Sequence, residues 1–323
     1  GGRPRLETSG ASGEVCAAHG DGRGIRFLRL SSDLDVIEQV RFKPRRREGR
    51  DLPLGGAVII HQRNGRVRLF AEEQGSRIGV VELSFDLEED QAGSSLSWAF
   101  QRAFLEDGAL SPDGEVLLAC VCQAQLDEDP QFKILYLQSD GQSIAFGEAL
   151  DEDRAVVREA WLLYDSVNRW RFPSSGGPVL GTCREAIFTS WIGSRPDGRP
   201  VVVVRGRRRP AESWSPSVEL QVANPNEVAC PEIRSCGQSC AFVAWICKSE
   251  AGPWVLRAKH VRFDGPMLEA GSGQDLATFD LPYWPGHTFG FDIEEGQFVA
   301  TIACQVKGVF GVWCWRGIVR PAR

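Results

Sequence analysis

Long apolar runs are missing from this sequence. No window reaches the roughly 18 consecutive apolar residues that a spanning helix needs, so the chain reads as soluble and membrane insertion is not expected. An excess of positive charge is missing too: 37 Lys and Arg stand against 43 Asp and Glu, for a formal net charge of −6. Nucleic-acid binders concentrate Lys and Arg into a net-basic footprint, so nucleic acid is not an expected partner. Histidine is scarce, at four residues, and neither His260 nor His287 sits beside a G-x-S-x-G elbow or a papain-like cysteine context. The glycines of EAGSGQD, Gly271 and Gly273, lack the Lys and the following helix of a phosphate loop. A charged-then-apolar leader is not found and the chain starts at Gly1 rather than Met, so the expectation is either a processed chain or an excised piece, with any targeting information cut away.

The chain does have enough apolar material for a sizeable core, with 42% hydrophobic and 25% charged residues over 323 positions. Local charge contrast exists. Arg45, Arg46 and Arg47, then Arg205, Arg207, Arg208 and Arg209, form basic clusters; Glu88, Glu89 and Asp90, then Asp151, Glu152 and Asp153, form acidic ones. Both kinds are expected to be solvated loop charge. Ten cysteines are scattered through apolar stretches (Cys16, Cys120, Cys122, Cys304, Cys314), where a free thiol serves as a small buried hydrophobe. A tighter group, Cys230, Cys236, Cys240 and Cys247, has room for one disulfide or a metal. Its C-x5-C-x3-C-x6-C spacing lacks the CxxC knuckle of zinc sites and encloses no His, so a structural role and no metal are expected. The even count permits an oxidising compartment, and a secreted or periplasmic setting is preferred over a cytoplasmic one.

The strongest signal is internal repetition. AIFTSWIGSRPDGRPVVVVR, from Ala186, lies without gaps on CAFVAWICKSEAGPWVLRAK, from Cys240, with Phe188 on Phe242, Trp191 on Trp245, Gly198 on Gly252 and Val201 on Val255. Both read as strand, turn, strand. The frame extends to VLLACVCQAQLDEDPQFKILYLQSDG from Val116, and to FVATIACQVKGVFGVWCWRG from Phe298 with a tighter turn at Lys307 and Gly308. Near the N-terminus, CAAHGDGRGIRFLRL from Cys16 matches VIIHQRNGRVRLFAE from Val58, His19 falling on His61. Glycines at 13, 55, 114, 181, 237 and 296 mark six units. Each carries a hairpin of β-branched and aromatic residues and then a more polar stretch, which suits a four-stranded antiparallel blade. One blade cannot bury both its faces alone, so the expected fold is all-β, a six-bladed β-propeller. Its rival is a pair of β-sandwiches, but the repeat phase crosses the middle of the chain with no linker. The expected organisation is an N-terminal arm over 1–12 and one propeller over 13–323, with the arm pairing near Ile318 to Pro321. Arg154 to Asp165 reads equally as a decorating helix or an outer strand.

PEIRSCGQSCAFVAW followed by WVLRAKHVRFDG, with SPDG at Ser111 and RPDG at Arg195, resembles the blade repeats of bacterial β-propellers of the sialidase-like and TolB-like kinds. The resemblance covers most of the chain as a repeat rhythm and implies the propeller. Neither SPDGEVLL nor RPDGRPVV fits the S-x-D-x-G-x-x-W spacing of sialidase Asp boxes, so no catalytic residue is carried over.

In such a scaffold ligands meet loops that enter the innermost strands. NRWRFPSSGGP, from Asn168, and LPYWPGHTFGF, from Leu281, combine aromatics with fixed donors, and the candidate binding residues are Trp170, Arg171, Phe172, Tyr283, Trp284 and His287. Trp191 and Trp245, at equivalent repeat positions, are expected in the core, and His19 and His61 are pattern residues rather than ligands. With no nucleophile, metal or phosphate signature, the reading is a non-enzymatic recognition or assembly module. Its partner is a protein or a glycan, and it needs no cofactor. The alternative is a glycan-active hydrolase, sialidase-like or another propeller glycosidase, with carboxylates at the central channel; Asp51, Asp292, Glu294 and Glu295 are the candidates near strand-entering loops.

Overall fold

The computed structural model describes residues 5–8, 15–20, 25–31, 33–42, 45–47, 50–52, 54–61, 66–73, 79–86, 92–98, 103–114, 116–122, 131–137, 144–149, 178–195, 200–208, 213–220, 228–248, 252–282 and 289–320. All regular structure among them is β, and every pairing is antiparallel. The chain divides into two compact units, residues 1–110 with 114–150 and residues 111–113 with 151–323.

The first unit holds three four-stranded sheets. Sheet 1 is a meander of β1 (Arg5–Thr8), β2 (Val15–Gly20), β3 (Ile25–Leu30) and β4 (Val36–Phe42). A small ribbon follows, β5 (Arg45–Arg47) with β6 (Arg50–Leu52). Sheet 2 runs β7 (Leu54–His61), β8 (Arg66–Glu73), β9 (Gly79–Asp86) and β10 (Ala92–Trp98). Sheet 3 runs β11 (Ala103–Leu110), β12 (Val116–Cys122), β13 (Gln131–Leu137) and β14 (Ile144–Ala149). First strands lie beside one another, β7 contacting both β1 and β11.

The second unit repeats the plan. Sheet 4 is β15 (Val179–Thr182), β16 (Ile187–Ser194), β17 (Pro200–Arg207) and β18 (Val218–Leu220). Sheet 5 is β19 (Val228–Ser235), β20 (Cys240–Lys248), β21 (Trp254–Asp264) and β22 (Met267–Phe279). In sheet 6 the short β23 (Leu281–Pro282) and β24 (Phe289–Glu294) share one edge of β25 (Gln297–Val306), and β26 (Val309–Ile318) takes the other. Here too the first strands are neighbours, β15 with β19 and β19 with β24.

The repeat seen in the sequence is a repeat of register. Ile187↔Arg207 and Trp191↔Val203 in sheet 4 answer Ala241↔Val261 and Trp245↔Arg257 in sheet 5. Strand alternation sends Trp245, Val243 and Ala241 toward sheet 4, into a core with Phe188, Val202 and Val204, and sends Phe242, Ala244 and Ile246 toward sheet 6, into a core with Phe298, Ala300 and Ile302. Trp191 and Trp245 are buried as expected. The tight turn at Lys307 and Gly308 is present, with φ of 49° and 80° at its two residues, the left-handed pair that a two-residue hairpin needs.

Two expectations are corrected. The N-terminal match is out of phase: β2 and β3 are the second and third strands of sheet 1, whereas β7 and β8 are the first and second of sheet 2. Both hairpins alternate apolar residues with the same period, so a match of pattern does not fix strand order. The basic run at 205–208 is not solvated loop charge. Arg205 Nε donates to the Ser215 carbonyl at 2.8 Å, Arg207 is buried with its guanidinium 5.0 Å from the Trp214 ring, and Arg208 stacks 5.3 Å from Phe263. A guanidinium is planar and weakly hydrated enough to pack against rings in this way. Arg154 to Asp165 lies outside the described residues.

Candidate functional site

Two clusters of chemistry-bearing side chains occur where β19 runs out into the turn that leads to β20. The first is built on the innermost strands of sheets 5 and 6. β19 carries a bulge, its register shifting between Ala229 and Glu232 around Cys230 and Pro231. Proline cannot donate to a ladder, and a bulge re-aims the residues after it. Ile233 then enters the core shared with sheet 4, which turns Glu232 and Arg234 to the opposite face. On β24 the buried Phe291 and Ile293 bracket Asp292 in the same manner, leaving its side chain 82% exposed.

Arg234 joins the two strands. Its Nη1 is 3.4 Å from Glu232 Oε2 and its Nε is 3.9 Å from Asp292 Oδ1, while Nη1 also donates to the Ile233 carbonyl at 2.8 Å. The Glu232 side chain is only 6% exposed. Asp292 Oδ1 accepts the Ile293 N–H at 2.9 Å, which fixes the carboxylate against its own strand. A buried and an exposed carboxylate thus share one guanidinium.

The second cluster begins two residues further on. Cys236 and Cys240 close the β19–β20 connection, with the Cys236 N–H donating to the Cys240 carbonyl at 3.0 Å and the two Sγ atoms 3.1 Å apart. Gly237 makes this approach possible, since a Cβ there would lie 2.9 Å from Cys240 Sγ. Cys240 pairs with Arg262 and Phe242 with His260, so alternation sets Cys240 and His260 diagonally on one face, and the Phe242 and His260 rings are 5.1 Å apart. Each of Cys236, Cys240 and His260 offers a ligand atom, and these atoms lie within 4.8 Å of one another. The hydrogen bond from Cys236, helped by His260, holds the Cys240 thiol down at about 5, and the same bond pushes Cys236 up. Cys183, in the turn between β15 and β16, borders the group: its thiol donates to the Gln238 carbonyl at 2.8 Å, and burial raises it.

Of the residues singled out in the sequence, Trp170, Arg171, Phe172, Tyr283, Trp284 and His287 lie outside the described residues. Asp292 is in the first cluster. Glu294 and Glu295 are exposed at the β24–β25 turn, where Glu295 has φ 48°, and they make no part of it. Asp51 is on β6, and His19 and His61 are on β2 and β7. Cys247, grouped in the sequence with Cys236 and Cys240, is a buried core residue. Glu232, Arg234 and His260 were missed as a set, because only strand pairing brings them to their partners.

No protein-family model matches the chain, and no curated protein matches it by sequence. Solved structures do. An α-L-arabinanase of Penicillium chrysogenum, complexed with arabinobiose, superposes over 98% of this chain and 92% of its own, at TM-score 0.59 and 11% identity. The sialidase of Trypanosoma rangeli, in complex with the inhibitor DANA, matches over 98% of this chain and 54% of its own, at TM-score 0.59 and 10% identity. A bifunctional GH43-CE protein of Bacteroides eggerthii matches over 93% of this chain at TM-score 0.50 and 9% identity. The chain spans about half the length of the sialidase and 42% of the bifunctional protein. At these identities the likeness is one of fold, and the fold is that of a sialidase-like β-propeller built of antiparallel sheets.

Proposed function

We propose that this protein is a glycan-active propeller, a hydrolase working where the innermost strands of sheets 5 and 6 present Glu232, Arg234 and Asp292. The observation that carries the reading is the sharing of Arg234 by one buried and one exposed carboxylate on neighbouring strands. Glycoside hydrolysis uses two carboxyl groups set near each other across a cleft, and here two carboxylates stand 3.4 Å and 3.9 Å from one planar guanidinium. Asp292, standing in solvent, is the carboxylate within reach of a sugar, and Glu232 is its partner behind the arginine. Arg234 offers fixed, coplanar donors to sugar oxygens.

The reading reverses the order of the two taken from the sequence, in which a non-enzymatic module came first. The three structural neighbours named above are glycan-active proteins, one of them with arabinobiose bound, which favours a glycan over a protein as the ligand. The test is turnover of a panel of aryl arabinofuranosides, aryl sialosides and arabino-oligosaccharides. Asp292→Asn should abolish hydrolysis, Glu232→Gln should reduce kcat by two orders of magnitude or more, and Arg234→Lys should raise KM by losing the planar fork, all with unchanged circular dichroism. Activity unaffected by Asp292→Asn and Glu232→Gln, or binding of these glycans with no cleavage of any, would overturn it.

A further inference from the structure

The thiol and imidazole cluster of sheet 5 is independent of that reading. We propose that Cys236, Cys240 and His260 form a binding site for a borderline-soft divalent cation, Zn2+ being the natural occupant. Three observations carry it. The three ligand atoms, from one turn and one neighbouring strand, fall within 4.8 Å of one another. Zinc bound at about 2.3 Å by sulfur and about 2.0 Å by nitrogen holds its tetrahedral ligands somewhat under 4 Å apart, so the set needs only a modest contraction to meet the metal.

The second observation is His260 itself. It is 6% exposed, packed on Phe242, and its Nδ1 is buried with no hydrogen-bond partner. A buried ring nitrogen without a partner costs free energy. The ring offers one of its nitrogens to the cluster of two sulfurs, a set that a metal would use in full and a disulfide would not.

The third observation is the backbone. Gly237 is the residue that lets Cys240 Sγ come in over the turn, and the Cys236 N–H to Cys240 carbonyl bond locks the turn in the shape that converges both sulfurs. The ligand chemistry, two thiolates and an imidazole, suits zinc over calcium or magnesium, which take oxygen. Binding expels the remaining thiol protons, and the bound metal ties the β19–β20 connection to β21.

The experiment uses the full chain, purified in a phosphine reductant, loaded with Zn2+ or Co2+ and dialysed against metal-free buffer. Elemental analysis should find about one Zn2+ per chain, and the Co2+ form should show sulfur-to-cobalt charge transfer with the intense visible bands of tetrahedral geometry. Cys240→Ser and His260→Gln should lose both signals while keeping the native circular-dichroism spectrum; Cys314→Ser, altering an exposed thiol outside the cluster, should keep them. The proposal is overturned if the reduced wild-type chain retains no zinc, or if His260→Gln gives the unaltered cobalt spectrum. It is equally overturned if the protein isolated without reductant carries a Cys236–Cys240 disulfide in its peptide map. None of these outcomes depends on glycan turnover, so this site and the carboxylate pair can fail separately.

Discussion

Sheets 5 and 6 follow one another in the chain and share a core, yet they are buried in different ways. β20 has seven consecutive buried residues, Ala241 to Cys247, because sheet 4 covers one face and sheet 6 the other. β25 alternates instead: Phe298, Ala300, Ile302 and Cys304 are buried, while Gln297, Val299 and Thr301 are exposed. β26 goes further and exposes Val309, Phe310, Val312 and Ile318. A strand covered on both faces needs an unbroken apolar run, and a strand covered on one needs only every second position. Sheet 5 is therefore more deeply buried than sheet 6, and it also holds His260, whose Nδ1 is buried without a hydrogen-bond partner. A polar group can be kept short of partners only where the surrounding packing is strong enough to outweigh the cost.

The comparison breaks first at Trp245. Trp245→Ala removes the largest fully buried side chain among the described residues and should cost about 3–5 kcal/mol in urea unfolding at constant m-value. Val312→Ala, 78% exposed on β26, should stay within about 0.5 kcal/mol. Equal losses would mean that the two sheets are not differently buried. Trp245→Phe sharpens the point: the indole Nε1 is buried with no hydrogen-bond partner, so losing it removes a penalty along with some packing, and the cost should fall well below that of the alanine variant.

A smaller effect separates packing from backbone. A Cβ on Gly206 would lie 2.9 Å from Phe263 Cζ and 3.1 Å from Phe188 Cδ1, at the interface of sheets 4 and 5, and Gly206→Ala should cost about 1–3 kcal/mol by overpacking. Gly308, in the β25–β26 turn, has φ 80° and nothing within 4 Å of such a Cβ. Gly308→Ala should therefore cost about 1 kcal/mol from backbone strain alone. Thermal unfolding of the two variants side by side measures the difference. A larger loss at Gly308 would show that the turn, and not the sheet interface, limits stability.

The fold was legible because each sheet writes the same short pattern. Phe188 and Phe242, and Trp191 and Trp245, recur at matched positions since the same register buries them against the same kind of neighbour. The pattern failed where it carries no strand order, as in the match of His19 with His61. The candidate sites were barely legible. Asp292 could be noticed as one acid among many, but nothing local marks Glu232 and Arg234 as its companions, since they sit on another sheet's first strand. The cysteines at 236 and 240 are visible in the sequence as two of a group of four, set aside for want of a CxxC knuckle and a histidine. His260 lies a hairpin away in sequence and reaches them only through the Phe242↔His260 pairing. The basic run at 205–208 misled for a related reason, because Trp214 and Phe263, which cover its guanidinium groups, lie elsewhere in the chain.

The finest contrast lies within sheet 6, between two thiols of one hairpin. Cys304, on β25, faces the core shared with sheet 5 and is pushed up to about 11 by burial, with the nearby Asp280 adding to the shift. Cys314, paired with Thr301, is exposed. Only a thiolate attacks an alkylating reagent. In the native protein at pH 8, iodoacetamide should modify Cys314 within minutes and leave Cys304 untouched, as a peptide map by mass spectrometry would record. The same shift has a stability consequence whose sign follows from linkage. The folded state holds the Cys304 proton more tightly than the unfolded chain, whose thiol keeps the ordinary value of 9.0. The contribution to stability is therefore fully present below pH 9 and is lost as pH rises through about 11. Cys304→Ala should flatten that part of the stability profile, and Cys314→Ala should leave it unchanged. Rapid labelling of Cys304 at pH 8 would mean that the inner face of sheet 6 opens to solvent, and the line between its covered and bare faces would have to be redrawn.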